Sequence, residues 1–294
     1  MKFQKILVPL DGSELAERVV LPAMRIAEDV RAKVVFLTVV SPVARPDAPG
    51  LVERVVQTSK YEAGLYLKSV RSRVLPTTTE VDTAVQAGRP ANEIIRYAQE
   101  NEVDLIIMTT HGRSGLTRWS FGRVAEKVLR RSPCPTVILR SHQTIIPDKI
   151  KRILVPLDGS LLAEQALPPA HDMAVALGAE IVLLQAVESP PLFQFGQADT
   201  TVPGTDPQLA RSYLTRIQAR LQAKGIATYV EVVAGSAADA IVDFAAANKI
   251  DLIVLCGLGS SGFQMWMFGS VTERVMKGAA CTTMLIRQER LPEA

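Results

Sequence analysis

Apolar residues run unbroken from Ile6 to Leu10 and stop at Asp11-Gly12-Ser13. A short run bounded by turn residues suits a strand buried on both faces of a parallel sheet. From Ser13 the period changes. Leu15, Val19, Ala23, Ile26 and Ala27 recur at helical spacing, with Ser13 placed as the N-cap and Pro22 inside to kink the helix. Lys33 to Val40 is a β-branched second strand. Ser41 to Gly50, with three prolines, reads as a loop, and Leu51 to Leu75 as a long helix whose Tyr61, Leu65 and Val70 face inward. Val81 to Val85 alternates as a third strand. Pro90 opens a helix to Asn101, because proline suits a first helical turn. Asp104 to Met108 forms the fourth strand, Gly122 to Arg131 the fourth helix and Thr136 to Leu139 the fifth strand.

The whole pattern then repeats. Ile6 to Ser13 recurs unchanged as Ile153 to Ser160, a spacing of 147 residues. The same spacing of 147 relates Gly88 to Gly235, Asp104 to Asp251, Gly122 to Gly269, Trp119 to Trp266 and Cys134 to Cys281. Agreement across the full unit means a duplicated domain, residues 1–143 and 148–294, joined by the short segment Ser141 to Lys149. A join that short implies halves that pack against each other.

Strands alternating with helices, and strands that are nearly all apolar, indicate an α/β fold with a parallel sheet covered on both faces. Ligands of such sheets bind beyond the carboxyl ends of the strands, where the strand order reverses. The stretch from Ile107 to Val124 fits that place: a buried strand, a loop with Gly112, Gly115 and Gly122, then a helix start. Backbone amides at a helix N-terminus, reached through glycines, favour an anion, and a nucleotide phosphate is the expected one. Ile253 to Val271 repeats the arrangement.

Composition narrows the classes. The 294 residues are 48% hydrophobic and 21% charged, enough for two cores. A net charge of +3, from 33 basic and 30 acidic residues, gives no polyelectrolyte face for nucleic acid. No apolar run reaches the roughly 18–20 residues that span a bilayer, and the N-terminus lacks a signal-peptide pattern, so a cytoplasmic location is expected. Three scattered cysteines suit reduced core thiols rather than a disulfide framework or a zinc site. Gly257 to Gly262 spells the dinucleotide fingerprint GxGxxG, but it follows the fourth strand and its helix starts too late. His111, Leu258 in the other copy, has no evident catalytic partner. Trp119, Trp266, Phe263 and Phe268 suit packing for the glycine loop.

Five features in order, their pattern duplicated with some changes of residue, resemble the universal stress protein family in its tandem form: VPLDGS at the end of strand one, HGRSG, the following Leu-x-Arg-Trp, a later glycine, and SPCPTVILR at the close. The resemblance covers essentially the whole chain. It implies a five-stranded, flavodoxin-like (Rossmann-like) parallel sheet in each repeat, dimerisation, and for some members binding of ATP or AMP, with Mg; with the short join it also implies an internal pseudo-dimer of the two repeats, the last strands Thr136 to Arg140 and Thr283 to Arg287 lying at the contact. It also implies nucleotide contacts at Pro9, Asp11, Val39, Thr109, Gly112, Gly122, Arg123 and Val124 in the first repeat. Their counterparts are Pro156, Asp158, Ala186, Cys256, Gly259, Gly269, Ser270 and Val271. In that reading Asp11 and Asp158 bond adenine or ribose, Pro9 and Pro156 flank the sugar, and Val39 and Ala186 offer backbone to the adenine edge. Thr109 and Cys256 stand where nucleotide-binding members carry their first glycine, and Arg123 stands where they carry Ser or Thr. Ser270 and Glu273 read as a capping box. Arg113, Arg118 and Arg123 are candidates to answer phosphate charge. The aspartates also suit a plain turn or cap after strand one. Three outcomes follow: a nucleotide-dependent regulatory module without robust turnover, an interaction scaffold that binds no nucleotide, or, least favoured because no general base is evident, a slow ATPase.

Overall fold

The computed structural model describes residues 3–41, 49–110, 122–139, 149–187, 206–257 and 269–287. The chain separates into two compact units, Lys2–Asp148 and Lys149–Ala294, with Met1 grouped with the second. In the first unit β1(Lys5–Pro9), α1(Glu14–Glu17), α2(Val20–Val30), β2(Lys33–Val40) and α3(Pro49–Val74) are followed by β3(Val81–Ala87), α4(Pro90–Glu100), β4(Leu105–Thr109), α5(Arg123–Arg131) and β5(Thr136–Leu139). Their order in the sheet is β3-β2-β1-β4-β5, every pair parallel.

The second unit has β6(Arg152–Pro156), α6(Leu161–Glu164), α7(Leu167–Leu177), β7(Glu180–Val187) and α8(Pro207–Gln222). It continues with β8(Thr228–Ala234), α9(Ala237–Ala247), β9(Leu252–Cys256), α10(Ser270–Gly278) and β10(Thr282–Ile286). The order is β8-β7-β6-β9-β10, again parallel. Each unit is therefore the doubly wound, five-stranded parallel α/β sheet that the resemblance implies, with its strands in the Rossmann-like order. Right-handed crossovers put α1, α2 and α3 on one face and α4 and α5 on the other. The order reverses between β1 and β4, which opens a crevice at their carboxyl ends.

Burial follows position in the sheet. Central strands are dry: Ile6, Leu7, Val8, Ile106 and Ile107 are all 0% exposed. The edge strand β3 is mostly half-buried, which is why its sequence alternates where β1 and β4 run apolar. At the other end of the sheet Asp104 Oδ2 accepts from the Gln4 and Lys5 amides, each at 2.9 Å, and so starts β1 and β4 side by side. Asp251 does the same for Lys151 and Arg152, at 2.8 and 3.0 Å.

Pro22 breaks the helix after strand one rather than bending it. Its missing N–H would have bonded the carbonyl of Arg18, so the interruption between α1 and α2 falls there, four residues upstream. Pro169 gives the same break between α6 and α7. The long helix starts earlier than its periodicity suggests, taking in Pro49 and Gly50, while residues 42–48 of the predicted loop lie outside the described residues. Its inward face is also different. Ala63, Leu67 and Val70 are buried, whereas Tyr61 is 70% and Leu65 47% exposed. Leu65 and Val70 are five apart, about 140° around the helix at 100° per residue, so they cannot share a face. Spacings of four and three, from Ala63 to Leu67 to Val70, can.

Candidate functional site

Strand β1 continues past Pro9 because the Leu10 amide donates to the Leu37 carbonyl at 2.8 Å and Thr38 Oγ1 donates to the Leu10 carbonyl at 3.0 Å. That holds Asp11 at the strand's end. Gly12 then takes φ +81°, a left-handed conformation that glycine adopts without strain. Asp11 Oδ1 accepts from the Ser13 amide at 3.0 Å and from Ser13 Oγ at 2.6 Å, and Ser13 Oγ accepts from the Ala16 amide at 3.1 Å. Ser13 is thus the N-cap of α1, as predicted. Asp158 and Ser160 reproduce the turn at 3.0 and 2.6 Å, with Ala163 donating to Ser160 at 3.1 Å. One oxygen of each aspartate is engaged in the turn.

The fourth strand leads to the second half of the crevice. The Thr110 amide donates to the Leu139 carbonyl at 3.1 Å, and the Gly122 amide donates to the Thr110 carbonyl at 2.9 Å. The chain therefore enters α5 beside the end of β4. In the second unit Gly257 donates to Ile286 at 2.9 Å and Gly269 donates to Gly257 at 3.0 Å. Gly122 and Gly269 are the N-caps of α5 and α10, and neither helix start has a side-chain cap hydrogen bond. This corrects the capping-box reading. Ser270 is the first residue inside α10, one position too late to cap, and Glu273 pairs with Lys277 at 2.5 Å instead. The first-turn amides of such a helix lie at the positive end of its dipole, where an anion is favoured.

A cavity of about 960 Å³ connects these parts in the first unit. Pro9, Asp11 and Val39 line it from the β1 and β2 ends, and Thr109, Gly122, Arg123 and Val124 from the β4 and α5 side. The structure thus gathers seven of the first repeat's predicted site residues around one space. Gly112 and Gly259 lie outside the described residues, as do His111, Arg113, Arg118 and the loop aromatics. In the second unit Pro156 and Cys256 end β6 and β9, Asp158 forms the turn, and Ala186 sits late in β7. Gly269, Ser270 and Val271 open α10. Thr109 and Cys256 are both buried. The units differ beside them: Thr272 Oγ1 donates to the Cys256 carbonyl at 3.1 Å, where the first unit has Ala125.

Sequence reading missed the contribution of α3. Ser59, Glu62 and Tyr66 of that helix also line the cavity. A signal was present, since Tyr66, Glu17 and Arg73 recur as Tyr213, Glu164 and Arg220, each 147 residues on. Burial first, then the carboxylate of Glu17, then Asp11, hold the Tyr66 phenol above its ordinary pKa. Tyr213 is shifted the same way by burial, Glu164 and Asp158. Both hydroxyls therefore stay protonated donors at neutral pH.

Cys134 and Cys281 are free, buried core residues, and burial pushes both thiols up to about 12. Among the described residues no group of three metal-ligating side chains occurs, and no helix is long and apolar enough to cross a membrane.

Comparison with known proteins gives consistent matches. The model of the Universal stress protein family matches residues 2–140 and again 149–287. A universal stress protein of Methanocaldococcus jannaschii is 33% identical over 140 residues, 47% of this chain and 82% of that protein. One of Mycobacterium bovis is 26% identical over 241 residues, 81% of this chain and 76% of its own length. Among solved structures, a universal stress protein from Archaeoglobus fulgidus superposes with a TM-score of 0.70 at 19% identity, covering 98% of this chain and 99% of that one.

Proposed function

Since this chain belongs to the universal stress protein family, in tandem form, we propose that it binds an adenine nucleotide, ATP with Mg or AMP, and acts as a nucleotide-dependent regulatory or interaction module. The observation that carries this reading is that one cavity joins the Asp11 turn to the glycine-led start of α5. Its volume of about 960 Å³ is at the roomy end of the roughly 300–1,000 Å³ that ligand sites occupy. The two ends differ in chemistry. Asp11 and Glu62 present carboxylates, suited to the hydroxyls of a sugar or the amino group of a base. Gly122 and Arg123 present amides and a guanidinium, suited to phosphate.

Calorimetric titration of nucleotide-free protein with Mg-ATP and with AMP tests the proposal. Saturable binding below millimolar ligand is the expected result, and no heat of binding at millimolar ligand overturns it. The competing reading is an interaction scaffold without nucleotide, favoured by the buried side chains of Thr109 and Cys256 at the position where binding members carry glycine. Nucleotide released from freshly purified protein and identified by mass spectrometry counts against the scaffold.

A further inference from the structure

The duplicated trio Glu17, Tyr66 and Arg73 is arranged differently in the two units. In the second, the Tyr213 hydroxyl donates to Glu164 Oε1 at 3.1 Å, while Arg220 stands off at 3.7 Å from the same carboxylate. In the first, Arg73 closes on Glu17 at 2.7 Å, and the Tyr66 hydroxyl, buried, has no hydrogen-bond partner among the described residues. Glu17 is near enough to raise the phenol's pKa both by its charge and as an acceptor, yet the Tyr66 hydroxyl lies outside the hydrogen-bond geometry that Tyr213 meets with Glu164. A buried donor left without an acceptor is costly, and native structures rarely keep one without a use.

Tyr66 lines the cavity together with Asp11, Ser59 and Glu62. Two carboxylates on that wall repel a phosphate, which the opposite wall suits better. A sugar hydroxyl suits that wall, because it donates to a carboxylate and accepts from a phenol. We infer that Tyr66 donates its hydroxyl hydrogen bond to a ribose hydroxyl of the nucleotide in the first unit, which makes that unit select ribonucleotides over deoxyribonucleotides. Tyr213, already engaged by Glu164, has no such part. The inference rests on the nucleotide reading above.

The test compares the parent protein with Tyr66→Phe and Tyr213→Phe, titrated with ATP, 2′-deoxy-ATP and 3′-deoxy-ATP. Phenylalanine keeps the ring packing, and thermal unfolding of each variant verifies the fold. In the parent, one of the two deoxy analogues binds about 5–10-fold more weakly than ATP, the value of one hydrogen bond. Tyr66→Phe weakens ATP by a similar factor in one class of sites and leaves that analogue unchanged, so the preference disappears. Tyr213→Phe keeps the parent's preference. Equal weakening of all three nucleotides by Tyr66→Phe, or no change in any, overturns the inference while leaving nucleotide binding in place. A parent protein that binds ATP and both analogues equally overturns it as well. Absence of ATP binding to the parent overturns the functional reading itself, and the inference with it.

Discussion

Replacing Asp11 by asparagine separates two roles that the carboxylate can fill. As a turn residue, Asp11 needs only Oδ1, which accepts from the Ser13 amide at 3.0 Å and the Ser13 hydroxyl at 2.6 Å. An asparagine carbonyl oxygen can accept both bonds, so Asp11→Asn should cost little stability, roughly 1 kcal/mol or less. Asp11→Ala removes the acceptor of both bonds. With hydrogen bonds worth about 1 kcal/mol each, and somewhat more to a charged group, it should destabilise the first unit by roughly 2 kcal/mol; the half-buried setting argues against more. As a ligand residue, Asp11 contributes its charge. Exchanging a charged for a neutral hydrogen bond costs about 1–1.5 kcal/mol, or roughly 5–10-fold in affinity. Urea unfolding followed by calorimetric titration with ATP reads the two effects separately. A stable Asp11→Asn protein with the parent's affinity, within twofold, would show that the aspartate merely shapes the turn. Parallel Asp158→Asn measurements report whether the second unit contributes a site.

Other expectations follow from particular contacts. Ser160→Ala, which removes the cap hydrogen bond to Ala163, should cost about 1 kcal/mol in chemical denaturation, whereas Ser270→Ala, one residue inside α10, should stay within about 0.5 kcal/mol. A Ser270→Ala loss as large as that of Ser160→Ala would restore the capping box. Gly88→Ala places a Cβ 2.7 Å from Glu93 Oε1 at φ +151°, so it should destabilise by about 1–3 kcal/mol. Gly235→Ala, at φ +134° with open space, should lose less, and thermal unfolding ranks the two. Burial raises Cys134 and Cys281 from 9.0 to about 12. The folded state therefore keeps protons that the unfolded chain releases, and this part of the stability is full below pH 9 and lost as pH rises toward 12. Urea midpoints from pH 8 to 10.5 should fall less steeply for a Cys134→Ala, Cys281→Ala double variant than for the parent. Native protein at pH 8 should also resist iodoacetamide until urea is added, because the thiolate is the reacting form.

Much of the fold was legible because the signals were local. An apolar run ended by Asp-Gly-Ser fixes a strand end, a turn and a cap within eight residues, so Ile6 to Ser13 could be read directly and again at Ile153. The phase of the long helix was harder. Tyr61 and Leu65 are large and apolar, yet the buried stripe is Ala63, Leu67 and Val70, since side-chain size does not say which helical face meets the sheet. The Ser270-x-x-Glu273 pattern misled for a related reason: a capping box needs its serine at the non-helical position, and Gly269 holds it.

The sequence by itself determined the duplication, the α/β alternation and the residues after strands one and four, because turn chemistry and hydrophobic period act between near neighbours. The tertiary structure alone decided that Asp11 and Gly122, 111 positions apart, share one cavity, and that α3 adds Tyr66 to its wall. It also decided how the repeated trio is arranged: Arg73 meets Glu17 at 2.7 Å where Arg220 stands 3.7 Å from Glu164, and a difference of about an ångström between packed helices is not written in identical residues.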